Sequence, residues 1–192
     1  MKTELVIASN NRHKAHEIKE ILEGKFDKIY TLSELGINVD PEETAPDFLG
    51  NARIKARAIS AFTDKAVIAD DSGLMVDALS GAPGVYSARY GGEPVSDDKN
   101  NEKLLREMSG VSDRNAKFVT TIVLLFPNGR EIVGVGEVKG KIIEERRGEH
   151  GFGYDSLFYS FELGKTFGQA TDEEKNSVSH RSRALKEILR QL

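Results

Sequence analysis

AKFVTTIVLLF (116–126), PNG (127–129) and REIVGVGEVKGK (130–141) form the stretch on which the fold turns. Two long runs rich in Val, Ile, Thr and Phe flank a Pro-Asn-Gly turn, and that pattern predicts two strands paired as a hairpin. Before the hairpin, strands alternate with helices. Leu5-Val6-Ile7-Ala8 reads as a short buried strand, and after a polar run Ala15, Ile18 and Leu22 return at helical spacing. A second helix is expected from near Thr44, where Asp47 three residues on suggests a capping box, with Phe48, Ala52, Lys55, Ile59 and Phe62 on one stripe. Ala66-Val67-Ile68-Ala69 is another buried strand, expected to end in Asp70-Asp71-Ser72-Gly73. A helix over Asp97 to Met108 precedes the hairpin. Beyond it, Thr171 and Glu174 give a second capping-box signal, followed by a helix from about Ser177 that carries Val178, Arg181, Leu185, Ile188 and Leu192 on one face. Alternating strands and helices interrupted by a hairpin predict an α/β fold with a mixed sheet, and no linker or repeat divides residues 1–192, which are expected to form a single domain.

Composition narrows the function classes. With 39% hydrophobic and 30% charged residues the chain has an ordinary globular balance. No run of about 18 apolar residues occurs, so no membrane-spanning helix is expected. No export signal is visible behind Met1, which makes a cytoplasmic location the expectation. Zero Cys excludes disulfides, thiolate metal sites and cysteine catalysis. A net charge of −4 argues against binding along a nucleic-acid backbone, which needs a basic face. An anionic ligand would have to be held by a few placed cations.

Two common phosphate motifs fail. Gly164-Lys165-Thr166 resembles the end of a Walker A loop, but Tyr159 stands where its opening Gly should be. Gly134, Gly136 and Gly140 miss the G-x-G-x-x-G spacing and fall within a predicted strand. What remains is a set of smaller signals. Ser9, Asn10, Asn11, Arg12, His13 and Lys14 join a strand to a helix N-terminus, where free N–H groups, the helix dipole and two cations suit an anion. Alone, that loop reads better as a polar turn with a solvated basic end. Asp70 and Asp71 are costly at a strand end unless they bind a cation, accept hydrogen bonds or reach water. With Glu42 and Glu43 they offer the few carboxylates that Mg²⁺ takes beside water and phosphate oxygens. Lys55 and Arg181 interrupt apolar stripes; each could snorkel to the surface or balance a triphosphate's charge. Gly151-Phe152-Gly153-Tyr154-Asp155 mixes glycines, rings and a carboxylate, a composition that fills a core loop or holds a flat base. His180 could read a carbonyl oxygen or serve structure.

Taken in order, these segments resemble the Ham1-type inosine triphosphate pyrophosphatase family almost end to end. The likeness is carried by Ser9-Asn10-Asn11 with Lys14, Glu42-Glu43-Thr44, Asn51 with Lys55, Ala69 to Leu74, Gly81 to Tyr90, Gly151 to Asp155, and Glu174-Lys175-Asn176 through Ser179-His180-Arg181. Ser9 stands where many members have Thr, and the hydroxyl is kept. The resemblance implies an elongated mixed sheet flanked by helices, two lobes with a central nucleotide-binding cleft, and a homodimer. It implies hydrolysis of deaminated purine triphosphates (ITP, dITP, XTP) to monophosphate and pyrophosphate with Mg²⁺. By position, Asp71 is implied as the catalytic carboxylate, with Asp70, Glu42 and Glu43 around the metal; which glutamate binds stays open. Ser9 to Lys14, Lys55, Ser72 and Lys175 are implied as triphosphate or sugar contacts. Phe152, Gly153, Tyr154, Asp155, His180 and Arg181 are implied as the base pocket. The rival readings are a pyrimidine triphosphate pyrophosphatase of related fold and a non-catalytic nucleotide sensor.

Overall fold

The computed structural model describes residues 3–192. Among the described residues, seven strands form one mixed sheet in the order β2-β1-β3-β4-β5-β6-β7. The contacts divide the chain into two compact units. The first holds the residues up to Asp71 with Thr120–Gly136 and Arg181–Leu192; the second holds Ser72–Val119 and Glu137–His180.

In the first unit β1 (Glu4–Ile7) runs parallel to β2 (Lys28–Thr31) and to β3 (Ala66–Val76), with Leu5, Val6 and Ile7 opposite Ala66, Val67 and Ile68. Both faces of this parallel sheet are covered, which explains why its strands read as continuous apolar runs. On one face Leu5, Ile7, Ala66 and Ile68 pack with Ala15, Ile18 and Leu22 around helix α1 (Arg12–Ile21) and with Leu185 and Ile188 of helix α5 (His180–Arg190). On the other, Val6, Ala8, Val67 and Ala69 pack with Ala52, Ala56 and Ile59 of helix α2 (Phe48–Ser60). A Cβ on Gly134 would lie 2.3 Å from the Ala184 carbonyl, so the glycine is what lets α5 approach the sheet so closely.

The second unit is built on Leu74, Val76, Leu104, Met108, Phe118, Val138, Phe158 and Phe167. It contains helix α3 (Asp97–Glu107) and the antiparallel pairs of β5 (Glu131–Ile142) with β6 (Phe158–Ser160) and β6 with β7 (Lys165–Thr166). The predicted hairpin is present as β4 (Asn115–Leu125) and β5, closed by Phe126 N–H to the Arg130 carbonyl at 2.9 Å and Gly129 N–H to the Phe126 carbonyl at 2.9 Å.

Several boundaries differ from the sequence expectation. The second helix begins at Phe48, not Thr44: Pro46 disfavours helical backbone at the residue before it, and Asp47 itself caps, accepting from Gly50 N–H at 2.7 Å. Phe62 lies past that helix and is exposed. The third strand does not stop at Ala69 but runs through both aspartates to Val76. The tail is two helices: the Thr171–Glu174 capping box opens α4 (Asp172–Val178), extended backbone at Ser179 ends it, and α5 follows. Val178 therefore lies on the first helix, and Leu192 is exposed. Lys165 and Thr166 form a strand, consistent with the rejection of a Walker loop.

Candidate active site

Because β3 continues through them, Asp70 and Asp71 are subject to its pleat, and successive side chains point to opposite faces. Asp70 follows Ala66 and Ile68 toward α1 and α5. Asp71 follows Val67 and Ala69 toward α2. Two acids adjacent in sequence are thus given separate partners.

Asp70, whose side chain is fully buried, meets Lys14 Nζ at 3.4 Å and Arg181 Nη2 at 3.2 Å. Arg181 also donates through Nη1 to Glu17, and it is buried. Burial alone would push the Asp70 carboxyl up, but Lys14, Arg181 and Lys55 outweigh it and hold the group far below the usual carboxylate range. Burial, with Lys55 and Arg181 nearby, lowers the Lys14 ammonium despite Asp70.

Asp71 accepts from Asn51 Nδ2 at 3.1 Å on one oxygen and meets Lys55 Nζ at 3.4 Å with the other. Thr120 Oγ1 donates to the Asp71 main-chain carbonyl at 3.0 Å. Burial dominates here: it raises the Asp71 carboxyl, Lys55 offsets only part of the rise, and Glu43 adds to it. Lys55 donates to Glu43 Oε1 at 2.9 Å. Its ammonium is raised because Asp70, Asp71 and Glu43 together outweigh burial. Asn51 Oδ1 also accepts from Ala45 N–H at 2.9 Å, so one buried amide joins Asp71 to the segment that carries Glu43.

Magnesium can be tested against this donor set. Glu43 and Asp71 converge on one point of positive charge, the Lys55 ammonium. Mg²⁺ takes one or two carboxylates and completes its octahedron with water and phosphate oxygens, so these two residues fit. The four acids expected around the metal do not gather. Asp70 faces the other side of the strand, Glu42 is exposed, and among the described residues no three His, Cys, Asp or Glu converge on one point.

The loop from Ser9 to Lys14 is more closed than a free anion cradle. Asn11 Oδ1 accepts from the His13 and Lys14 N–H groups at 3.0 and 3.1 Å, and Ser9 Oγ accepts from Asn11 N–H at 3.2 Å. Asn10 is turned to the Val39 carbonyl and Asp40, both at 3.0 Å. Arg12 and His13 are exposed, and Ser72 is half-buried beside Asp71.

In the second unit, Lys175 Nζ is 2.6 Å from Asp155 Oδ2 and lies over the Phe152 ring at 4.7 Å. Asp155 also accepts from Phe152 N–H at 3.0 Å. Gly151 has φ of 74°, and a Cβ there would lie 2.1 Å from the Asp155 carboxylate, so only glycine fits. Tyr154 donates through its hydroxyl to the Ser87 carbonyl at 2.7 Å, and burial raises its phenol. His180 stacks on Phe118, with centroids 5.0 Å apart. Asp97, Asn101, Phe152, Gly153 and Asp155 line a cavity of about 490 Å³.

Two of the residues lie beside partners from outside their implied groupings. Lys175, expected with the phosphate contacts, lies with Phe152 and Asp155; Arg181, expected with the base pocket, lies with Asp70 and Glu17. The sequence reading did not single out Glu17, Asp97 or Asn101, and it named Asn51 only as part of the resemblance, without a role. Asn51 precedes Lys55 by one helical turn, a spacing that places both on one face.

Comparison with known proteins identifies the family. The dITP/XTP pyrophosphatase of Clostridium perfringens (strain 13 / Type A) is 48% identical over 191 residues, covering 95% of this chain and 94% of that protein. The dITP/XTP pyrophosphatase of Bacillus subtilis (strain 168) is 44% identical over 187 residues, covering 96% and 94%. Among solved structures, the Staphylococcus aureus Ham1 protein superposes with a TM-score of 0.87 at 44% identity over 98% of this chain and 97% of that one. The model of the Ham1 family matches residues 5–191, and the chain belongs to that family.

Proposed function

We propose that this chain is a nucleoside triphosphate pyrophosphatase that converts deaminated purine triphosphates, ITP, dITP and XTP, to the monophosphate and pyrophosphate. The observation that carries the reading is the buried Asp71, held by Asn51 and Lys55 next to Glu43. We assign to Asp71, with one oxygen held by Asn51 and the other beside Lys55, the task of orienting and deprotonating the attacking water. Lys14 and Lys55 supply positive charge to the triphosphate, and Asp70 with Glu17 holds Arg181 in place behind Lys14.

Glu43 and Asp71 would hold Mg²⁺, which when bound neutralises charge on the phosphates and the leaving pyrophosphate. Phe152 offers a ring face for the base, and the Asp155–Lys175 pair fixes the loop that carries it. Discrimination follows from hydrogen bonding: a pocket built for a 6-keto base leaves buried groups unpaired with adenine, a penalty that reaches about 10⁴ in kcat/KM. No helix among the described residues is long and apolar enough to cross a membrane, and we place the enzyme in the cytoplasm as a homodimer.

A substrate panel tests the proposal. With Mg²⁺, ITP, dITP and XTP are expected to be turned over at least about 10²-fold more efficiently than ATP, GTP or UTP, and EDTA is expected to abolish turnover until Mg²⁺ is restored. A preference for UTP would favour a pyrimidine enzyme. Binding of ITP without pyrophosphate release would make the chain a sensor.

A further inference from the structure

Gly153 has φ of 60°, a region that glycine enters freely and leaves as freely. Its backbone is nevertheless gripped on both sides from a single helix. The Gly153 N–H donates to Asp97 Oδ2 at 2.7 Å, and the Gly153 carbonyl accepts from Asn101 Nδ2 at 2.8 Å. Asp97 and Asn101 are one turn apart on α3, so their side chains share a face. Asn101 Nδ2 donates in addition to the Asp97 carbonyl at 2.7 Å. Two carbonyl partners establish which end of the amide is nitrogen.

The other end makes no such contact. Asn101 is 2% exposed, and its Oδ1 is buried with no hydrogen-bond partner. A buried acceptor left unmade is destabilising, and a leucine of similar size would fill the same space without it. What the asparagine offers in return is its pair of donors, one of them aimed at the loop.

We infer that Asp97 and Asn101 are positioning residues for base recognition, gripping the Gly153 backbone from both sides and thereby fixing the direction in which Phe152 presents its ring. The role rests on the assignment of Phe152 to Asp155 as the base loop. Freed of the grip, Gly153 would sample other backbone states, and only a fraction of loops would hold the ring in its binding position. Apparent affinity falls by that fraction, while the chemistry at the anhydride, once substrate is bound, is unchanged.

Steady-state kinetics on ITP with thermal melts tests this. Asn101→Leu is expected to raise KM about fivefold or more, leave kcat within about twofold, and keep or raise Tm. Asp97→Ala is expected to raise KM similarly. Asp97→Asn retains an acceptor for the Gly153 N–H and is expected to restore KM. Phe152→Ala is measured beside them and is expected to raise KM. If Phe152→Ala leaves KM unchanged, the base-loop assignment is wrong and the positioning role falls with it. If Phe152→Ala raises KM but Asn101→Leu and Asp97→Ala do not, the grip alone is refuted. A joint loss of kcat and Tm in Asn101→Leu, or Asp97→Asn behaving like Asp97→Ala, would mean support of the fold in place of positioning.

Discussion

Asp71→Asn is expected to lower kcat for ITP by about 10²–10⁴-fold while the protein folds normally. Asparagine keeps the shape of the side chain but removes the charge that, on the proposed mechanism, activates water and, with Glu43, would hold Mg²⁺. Stability should survive for a specific reason. Burial already disfavours the Asp71 carboxylate, so neutralising it removes a penalty. Lys55 keeps Glu43 as its partner at 2.9 Å. A Tm equal to or above that of the parent, with kcat reduced at least a hundredfold, is the expected pair of results. Near-parental kcat would take Asp71 out of the chemistry.

Arg181→Met is expected to give the largest loss of stability, about 3–5 kcal/mol, because it strips a buried guanidinium from two carboxylates. Glu17 and Asp70 would both lose this buried partner, with Lys14 at 3.4 Å remaining on Asp70. For a chain of this size that loss lowers Tm by roughly 10 °C. The double variant Arg181→Met with Glu17→Met replaces both members of a pair with apolar groups, and it should be more stable than the single variant. ITP and ATP turnover should fall together as the folded fraction falls. The resemblance alone implies something else, a base-reading Arg181 whose loss erases the preference for ITP with stability intact. Denaturant melts of the single and double variants, with kcat/KM on both nucleotides, separate the two accounts.

The chemistry of this site was more legible in the sequence than its partition. Ala66 to Ala69 showed a buried strand, and Pro127-Asn128-Gly129 placed the hairpin that makes the sheet mixed. Asp70 looked like the end of a strand because nothing local could justify burying it. The justification is tertiary: Lys14 and Arg181 arrive from helices far apart in the chain. Once the strand continues, period-two alternation sends Asp70 and Asp71 to opposite faces, and the single four-acid cluster dissolves. Short strands such as Lys28–Thr31 and Lys165–Thr166 carry too few residues to show a period. The break between α4 and α5 is likewise invisible locally, since Val178 and Leu185 continue a plausible helical stripe across Ser179. Residue types pointed to an anionic ligand and a cation site and the resemblance implied the reaction class, whereas the pleat and the helix faces decided which cation serves which acid.

Product identity is the most direct test of pyrophosphatase function. Phosphorus NMR of the reaction with ITP and Mg²⁺ is expected to show inosine monophosphate and pyrophosphate accumulating in equal amounts, with no inosine diphosphate and no early orthophosphate. Appearance of inosine diphosphate with orthophosphate would contradict the account, because it would place the cleavage at the terminal phosphate instead of between the first and second.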